Sequence, residues 1–477
     1  MKILLINPPN YHIAKSSSGW DMEIDNIGLY PPVGLMYIAS YLRQNTGYEV
    51  RILDTLIDKL SYEEIGEYAK EYSPDLIGVT SFTLTFYDVM ETVRAARKSC
   101  PKAHICVGGP HTFYWGDETI MKPEIDSVLL GEAEISFTQL AQALDKGKDV
   151  RKVKGILVRD GGQVFRNGAA EIQENLDELP FPAFDLLPFR KYYSINSKEA
   201  SVGVIFSSRG CPFQCTYCDK ITLKYRSRSV ESILEEIQLY YGEGIREFLF
   251  FDDLFNINSQ RVIDVSEGII RRGFKIRWSF RGRVDQVTDE MVAAAKKAGC
   301  TLISFGVEDC TDEGLKMINK AITTDQVLRS VNIVKKHGLE TSTNWIIGLP
   351  RHRSEKDIIE LLEFAKKVDS TYAEFTILVP YYGTRIYLEG IKKGVLKEGV
   401  WEDFVRNPKP DFLLPMWEES FSRQKLSELY HKCYTGYYWR PKYILKSLLR
   451  LRGSAEFYKK IRAAFKLLGV MTIKKVK

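Results

Sequence analysis

Ser208-Arg209-Gly210-Cys211-Pro212-Phe213-Gln214-Cys215-Thr216-Tyr217-Cys218-Asp219 places three cysteines in the order C-x-x-x-C-x-x-C, directly behind the apolar segment 202–207. The chain has eight cysteines in 477 residues, and three of them fall within eight positions. The others, Cys100, Cys106, Cys300, Cys310 and Cys433, are scattered. This is not a secreted disulfide framework; it suits a reducing, cytoplasmic location where thiols stay free for metal. Structural zinc would need a fourth ligand close by, from a second C-x-x-C or paired histidines, and none follows at useful spacing. A [4Fe–4S] cubane has four irons and usually takes four thiolates. Cys211, Cys215 and Cys218 supply three, which leaves one iron open to a ligand that is not protein.

Outward from this loop, apolar runs alternate with helical periodicity. Downstream, strands are expected at 202–207, 247–251, 275–280, 302–307, 341–347 and 374–379, with helices at 230–241, 259–272, 289–298, 324–337 and 355–368 between them. Six strands with helical crossovers predict a partial (β/α)6 barrel, or a second open sheet, over 201–385. Upstream, strands at 2–7, 48–54, 76–81, 104–107 and 127–130 alternate with helices at 33–44, 62–72 and 87–98. That pattern predicts an α/β, doubly wound parallel sheet over 1–150. Ligands of such sheets bind beyond the carboxyl ends of the strands. The segments 7–10, 80–83, 108–112 and 131–132 all lie there, with Gly108-Gly109-Pro110-His111 read as a turn. Residues 151–200 read as a hairpin around Asp160-Gly161-Gly162 and an extended linker through Pro180 and Pro182. The region 386–477 reads as helical.

Hydrophobic residues make up 44% and charged residues 27%, the usage of an ordinary globular chain. The opening Met1–Pro9 has too short an apolar run for a secretion signal, and no stretch of about 18 apolar residues predicts a spanning helix. The net charge of +5 is unevenly placed. Residues 440–477 hold twelve Lys/Arg against one acid, Glu456, so the tail carries +11 and the body −6.

The cysteine loop after a first barrel strand resembles the signature of the radical S-adenosylmethionine superfamily. Later segments resemble that family in the same order. Phe251-Asp252-Asp253-Leu254-Phe255 is similar to the segment that meets the methionine amino group, and Gly306-Val307-Glu308 to the one that meets the ribose and methionyl part. Gly348-Leu349-Pro350 is similar to the adenine-side turn, and Tyr217 to the aromatic whose backbone meets the adenine. The resemblance implies S-adenosylmethionine contacts at Tyr217, Asp252, Asp253, Arg283, Glu308 and Gly348. It further implies that the cluster's open iron binds S-adenosylmethionine and that reduction releases a 5′-deoxyadenosyl radical.

The doubly wound domain ahead of this core resembles the cobalamin-binding subfamily. The matching pieces are Asn7-Pro8-Pro9, Pro31-Pro32-Val33-Gly34-Leu35, Gly108-Gly109-Pro110-His111 and Gly131-Glu132-Ala133-Glu134. Cobalamin contacts are thereby implied at Asn7, Pro8, Pro9, Gly34, Ser81, Gly108, Gly109, His111, Gly131 and Glu132. The D-x-H-x-x-G motif, whose His ligates cobalt in many cobalamin proteins, is absent. The implied activity is methylation of an unactivated carbon, with an external electron donor of flavodoxin or ferredoxin type. Two other readings stay open: ring or ether formation resembling the anaerobic magnesium-protoporphyrin ester cyclase, and a cobalamin carrier or sensor with a structural cluster. Two helices across 443–452 and 457–468 would each carry a basic and an apolar face. They fit a peripheral contact at the inner membrane face and tilt the expected substrate toward a hydrophobic, lipid-like molecule or a secondary metabolite. With basic residues confined to the tail and no RNA-binding module, nucleic acid is not expected as a partner.

Overall fold

The computed structural model describes residues 1–15, 28–194 and 197–449. The first sheet is built from β1 (Lys2–Asn7), β2 (Glu49–Asp54), β3 (Leu76–Thr80), β4 (His104–Gly108), β5 (Ser127–Leu129), β6 (Ile156–Asp160) and β7 (Gln163–Arg166). Their order is β2-β1-β3-β4-β5-β6-β7. β1 is an interior strand with Ile3, Leu4, Leu5 and Ile6 all buried, as a parallel strand covered on both faces must be. It pairs in parallel with β2 (Leu4 opposite Arg51) and with β3 (Leu4 opposite Ile77). The strand order reverses between β1 and β3, which opens a crevice at their carboxyl ends.

The helices α1 (Val33–Asn45), α2 (Tyr62–Tyr72), α3 (Phe86–Ser99), α4 (Pro110–Ile120) and α5 (Glu134–Asp145) cover this sheet. α1 and α5 share one core, and α2, α3 and α4 share another on the opposite face. One expectation needs correction. The turn at Gly108-Gly109-Pro110-His111 is confined to the glycines, because Pro110 occupies a first helical position and His111 lies inside α4. The expected hairpin around Asp160-Gly161-Gly162 forms, and β6 also pairs antiparallel with β5, which joins it to the first sheet.

The second sheet contains β8 (Gly203–Ile205), β9 (Glu247–Phe250), β10 (Arg277–Gly282), β11 (Cys300–Glu308), β12 (Glu340–Ile347) and β13 (Tyr372–Ile377) in sequential order, all parallel. The crossovers are α6 (Val230–Gly242), α7 (Ser259–Arg271), α8 (Asp289–Lys297), α9 (Thr324–Lys336) and α10 (Glu355–Val368). Each begins where its sequence says it should: Ser229, Asn258, Thr288 and Thr323 cap the first four, and Thr323 completes a capping box with Gln326. This is the partial (β/α)6 barrel, with β8 and β13 as its edges.

The C-terminal helices serve both domains. α11 (Arg385–Lys392) and α12 (Val400–Arg406) send Tyr387, Trp401 and Phe404 into the core that holds Phe86 and Trp115. α13 (Arg423–Tyr438) packs on the barrel and blunts its β13 edge. The Ala373 N–H donates to the Tyr438 hydroxyl at 3.0 Å and the Phe375 N–H to the Tyr434 hydroxyl at 3.3 Å, satisfying groups a bare edge would expose. α14 (Pro441–Leu449) follows. The expected helix at 457–468 and most of the basic tail lie outside the described residues.

Candidate functional site

The chain leaving β8 is held before it reaches the cysteines. Asp252, at the carboxyl end of β9 and 1% exposed, accepts the Ser207 N–H at 2.7 Å, the Ser207 hydroxyl at 2.5 Å and the Ser208 hydroxyl at 2.7 Å. Burial pushes its carboxyl up, and the bonds from Ser207 and Ser208 pull it back. Gly210 then takes φ +83°, where an added Cβ would collide with the Lys224 carbonyl. Beyond Cys211, the Arg283 guanidinium lies 3.7 Å from the centre of the Phe213 ring, Asn319 donates to the Gln214 carbonyl at 2.7 Å, and the Thr216 N–H donates to the Ile318 carbonyl at 2.9 Å. The loop is thus pinned from both sides.

Cys211 and Cys215 are partly buried, and Cys218 lies at the surface. The atoms packed around the Cys218 sulfur, then the nearby Cys215, push its thiol up to about 11. Among the described residues, no three His, Cys, Asp or Glu side chains are already gathered as a metal-ligand set. The donor chemistry fits an iron–sulfur cluster: three soft thiol ligands on one pinned loop, each of which must lose its proton to bind.

Around the loop, the carboxyl ends of the barrel strands bring together several of the expected residues. Glu308 is buried and holds φ +77°, a strained conformation for a side chain of its kind. Its carboxylate accepts from Lys320 at 3.0 Å, and Lys320 also donates to the Tyr217 hydroxyl at 3.1 Å. Gly348 takes φ +81°, and its N–H and that of Leu349 both donate to His352 Nδ1, at 3.1 and 3.2 Å. His352 Nε2 therefore carries the proton and faces Asp309 at 3.5 Å. Burial raises the Asp309 carboxyl, but His352 and Arg351 beside it outweigh this and bring it to about 2. Asp253 is exposed at the end of β9.

Two of these residues need reassignment as side-chain contacts. Both Asp252 oxygens are taken by Ser207 and Ser208, and Arg283 is taken by Asp285 at 3.0 Å and by the Lys320 and Ala321 carbonyls at 2.9 and 3.2 Å. They shape the loop instead of presenting free groups. Lys320, Asp309 and His352 were missed by sequence reasoning; a histidine four residues past a strand-end glycine was the one available signal.

At the carboxyl edge of the first sheet, Asn7 donates to Asp54 at 2.8 Å, and Pro8 and Pro9 are buried behind it. The Ser81 hydroxyl and N–H both donate to the Gly108 carbonyl at 2.7 Å. Gly109, at φ +110°, lies so close that an added Cβ would sit 2.8 Å from the Ser81 carbonyl oxygen. Gly34 is different: a Cβ there would meet no atom within 4 Å, so the fold itself does not require glycine. Gly131 turns the chain at φ +93° after β5. At Gly109 the Ser81 backbone, and at Gly108 the Leu129 side chain, crowd the place of a Cβ, so the fold itself accounts for both glycines. A second group went unread in the sequence: His12 Nδ1 lies 2.9 Å from buried Asp88, which also accepts the Tyr62 hydroxyl at 2.6 Å.

His111 must be corrected. It is fully buried, with Nδ1 3.0 Å from Thr83 Oγ1, Nε2 3.1 Å from Thr119 Oγ1, and its ring stacked on Phe86. Both nitrogens are used inside the fold, so the side chain is a core group and not a corrin contact. Burial lowers its pKa from 6.5 to about 3. Below pH 6.5 the unfolded chain takes a proton that folded His111 refuses, so this contribution is complete above 6.5 and is lost progressively as pH falls toward 3. The urea midpoint should fall across that window, and His111→Phe should flatten the slope; an unchanged slope refutes the assignment.

The Glu132 carboxylate is held by two arginines. Arg209, two residues before Cys211, donates to Glu132 and to Glu134 at 2.6 Å each, and Arg226 also pairs with Glu132. The first sheet's β5–α5 segment thus grips the start of the cysteine loop.

This arrangement sets a doubly wound sheet against a partial barrel whose carboxyl edge carries a three-cysteine loop. The B12-binding domain matches residues 27–141, and the radical SAM superfamily matches residues 205–365. An uncharacterized methyltransferase of Pyrococcus horikoshii is 34% identical over 95% of this chain and 96% of its own. The anaerobic magnesium-protoporphyrin IX monomethyl ester cyclase of Rubrivivax gelatinosus is 27% identical over 82% of this chain and 70% of its own. The cobalamin-dependent S-adenosylmethionine radical enzyme OxsB, solved with aqua-cobalamin and S-adenosylmethionine, shares the fold with a TM-score of 0.71 at 20% identity, covering 98% of this chain and 70% of that one. The chain belongs to the radical S-adenosylmethionine superfamily, in the branch that carries a B12-binding domain. It is a radical SAM enzyme, and an enzyme of this kind works with a [4Fe–4S] cluster, S-adenosylmethionine and cobalamin.

Proposed function

We propose that this enzyme transfers a methyl group to an unactivated carbon of a small organic molecule. The observation that carries the reading is the Arg209 bridge to Glu132 and Glu134, which sets the edge of the B12-binding sheet beside the cysteine loop. The 34%-identical relative of Pyrococcus horikoshii also bears the name of a methyltransferase. When bound, the cluster and S-adenosylmethionine supply a 5′-deoxyadenosyl radical, and cobalamin supplies the methyl group. The chain's own part is to hold and to exclude. Cys211, Cys215 and Cys218 ligate the cluster. Glu308, fixed by Lys320, meets the methionyl and ribose part, and the turn at Gly348, fixed by His352, meets the adenine. Asp253 presents the one carboxylate of its pair left at the surface. The crevice beyond β1 and β3 receives the macrocycle, with Asn7, Gly34, Gly108 and Gly109 at its rim. The electron comes from a flavodoxin- or ferredoxin-type donor, and a hydrophobic substrate is favoured.

Ring closure is the second reading, favoured by the 27% identity to the cyclase over most of the chain. Anaerobic incubation with reductant, S-adenosylmethionine and cell extract separates the two by mass spectrometry. A product heavier by one methylene unit is expected. A product that has lost two hydrogens would replace methyl transfer by cyclisation.

A further inference from the structure

The end of the barrel opposite the cysteine loop carries a feature that methyl transfer does not use. A cavity of about 360 Å³ opens there, lined by Lys198, Arg277, Lys296, Lys335, Glu340 and Leu449 among others. Four cations thus face one lining carboxylate. Lys296 and Lys335 lie in the last turns of α8 and α9, where they also offset the helix dipoles. Arg277, which opens β10, has no such role: its Nε reaches Glu247 only at 3.6 Å and makes no hydrogen bond. Glu247 is itself satisfied by the Lys198 and Glu199 N–H groups, at 2.9 and 3.1 Å. Lys335 shares Asp369 with Lys446 of α14, at 3.1 and 2.6 Å, so two cations meet one carboxylate there as well.

The apolar side of the same region is exposed. On α14, Ile444 is 39%, Leu445 59% and Leu449 77% exposed, and Leu449 also borders the cationic cavity. The chain then continues, from 450 to 477, with nine Lys/Arg against one acid. A cationic hollow beside protruding leucines matches an amphiphile with an anionic head and an apolar body. We propose that this end of the barrel docks on an anionic membrane surface, with lipid phosphates at Lys198, Arg277 and Lys296 and with Leu445 and Leu449 in the interface. No helix among the described residues is long and apolar enough to cross a membrane, so the contact is peripheral. Docking here turns the cysteine loop away from the bilayer, so it serves location, not direct substrate entry. The proposal does not depend on the methyl-transfer reading.

The test is co-sedimentation of the full chain with phosphatidylcholine vesicles and with vesicles of phosphatidylcholine and phosphatidylglycerol. Binding is expected only to the anionic vesicles and should weaken with salt. Leu445→Glu/Leu449→Glu and, separately, Lys198→Glu/Lys296→Glu should each reduce the bound fraction at least about tenfold. Leu445→Ser/Leu449→Ser is the milder companion should the acidic pair fail to fold, and circular dichroism checks each variant. Absence of vesicle binding would overturn the proposal, as would undiminished binding by both pairs, which would assign the contact to residues 450–477 alone. A dimer dissolved by the leucine substitutions would replace the membrane by a second copy. Oligonucleotide binding lost in the lysine pair, without vesicle binding, would replace it by nucleic acid.

Discussion

Cys215→Ala is expected to yield a folded protein that binds no cluster and forms no 5′-deoxyadenosine above the level seen without reductant. The loop's shape does not depend on that sulfur. Asp252 holds Ser207 and Ser208, Arg283 covers Phe213, and the Thr216 N–H is bonded to Ile318 whether or not residue 215 has a thiol. Cys215 is partly exposed, so its loss should change stability by less than about 0.5 kcal/mol. The cluster is another matter. With two thiolates left, two irons would lack protein ligands, and a cubane does not persist on such a site. Iron content and the cluster's visible absorption should both disappear on anaerobic reconstitution. Cobalamin binding should survive, because the B12-binding domain is built on the other sheet. Retained iron and retained deoxyadenosine would overturn the cluster assignment; joint loss of cobalamin would mean that the loop supports both sites.

The contrast between that loop and its surroundings explains what could be read in advance. The helix 355–368 was legible to the residue because its apolar positions keep helical spacing and its start has a Ser354–Asp357 capping box. The strand 2–7 was equally plain, since an unbroken apolar run has few other uses. The helix α4 was hidden because Gly108-Gly109-Pro110 is also the composition of a turn, and only tertiary packing of Trp115 and Ile120 decides for helix. The hairpin at 156–166 gave its local shape but not its long-range pairing with β5. Sites divide in the same way. Backbone demands leave a mark on sequence, so Gly109 and Gly348 stood out, though Gly210 did not. Side-chain direction leaves none: nothing in the motif says that Asp252 turns to Ser207 and Ser208, or that His111 turns inward to Thr83 and Thr119. His12 and Asp88 are 76 residues apart, beyond the reach of any short pattern.

Arg209→Ala is expected to separate the two halves of the reaction. The guanidinium bridges Glu132 and Glu134 across the domain interface, and these carboxylates outweigh the burial that would lower its pKa, holding the charge firmly. Its removal leaves Glu134 without that partner, while Glu132 keeps Arg226. The three side chains are 10–21% exposed, so the cost should be about 2–3 kcal/mol, below that of breaking a fully buried pair. The cysteines and the residues proposed to meet S-adenosylmethionine, Glu308 and Gly348, are untouched, so its cleavage should continue. What the variant loses is the fixed distance between the B12-binding edge and the loop that carries the cluster. Positioning errors of about 1 Å can cost on the order of a hundredfold in rate. Methylated product should therefore fall at least about tenfold while deoxyadenosine persists, a ratio that a merely destabilised protein would not change. Arg209→Lys should restore only part of the coupling, because a single ammonium lacks the planar fork that spans two carboxylates. If product and deoxyadenosine fell together in Arg209→Ala, the bridge would be a support of the cysteine loop alone, and the interface would have no part in coupling the two cofactors.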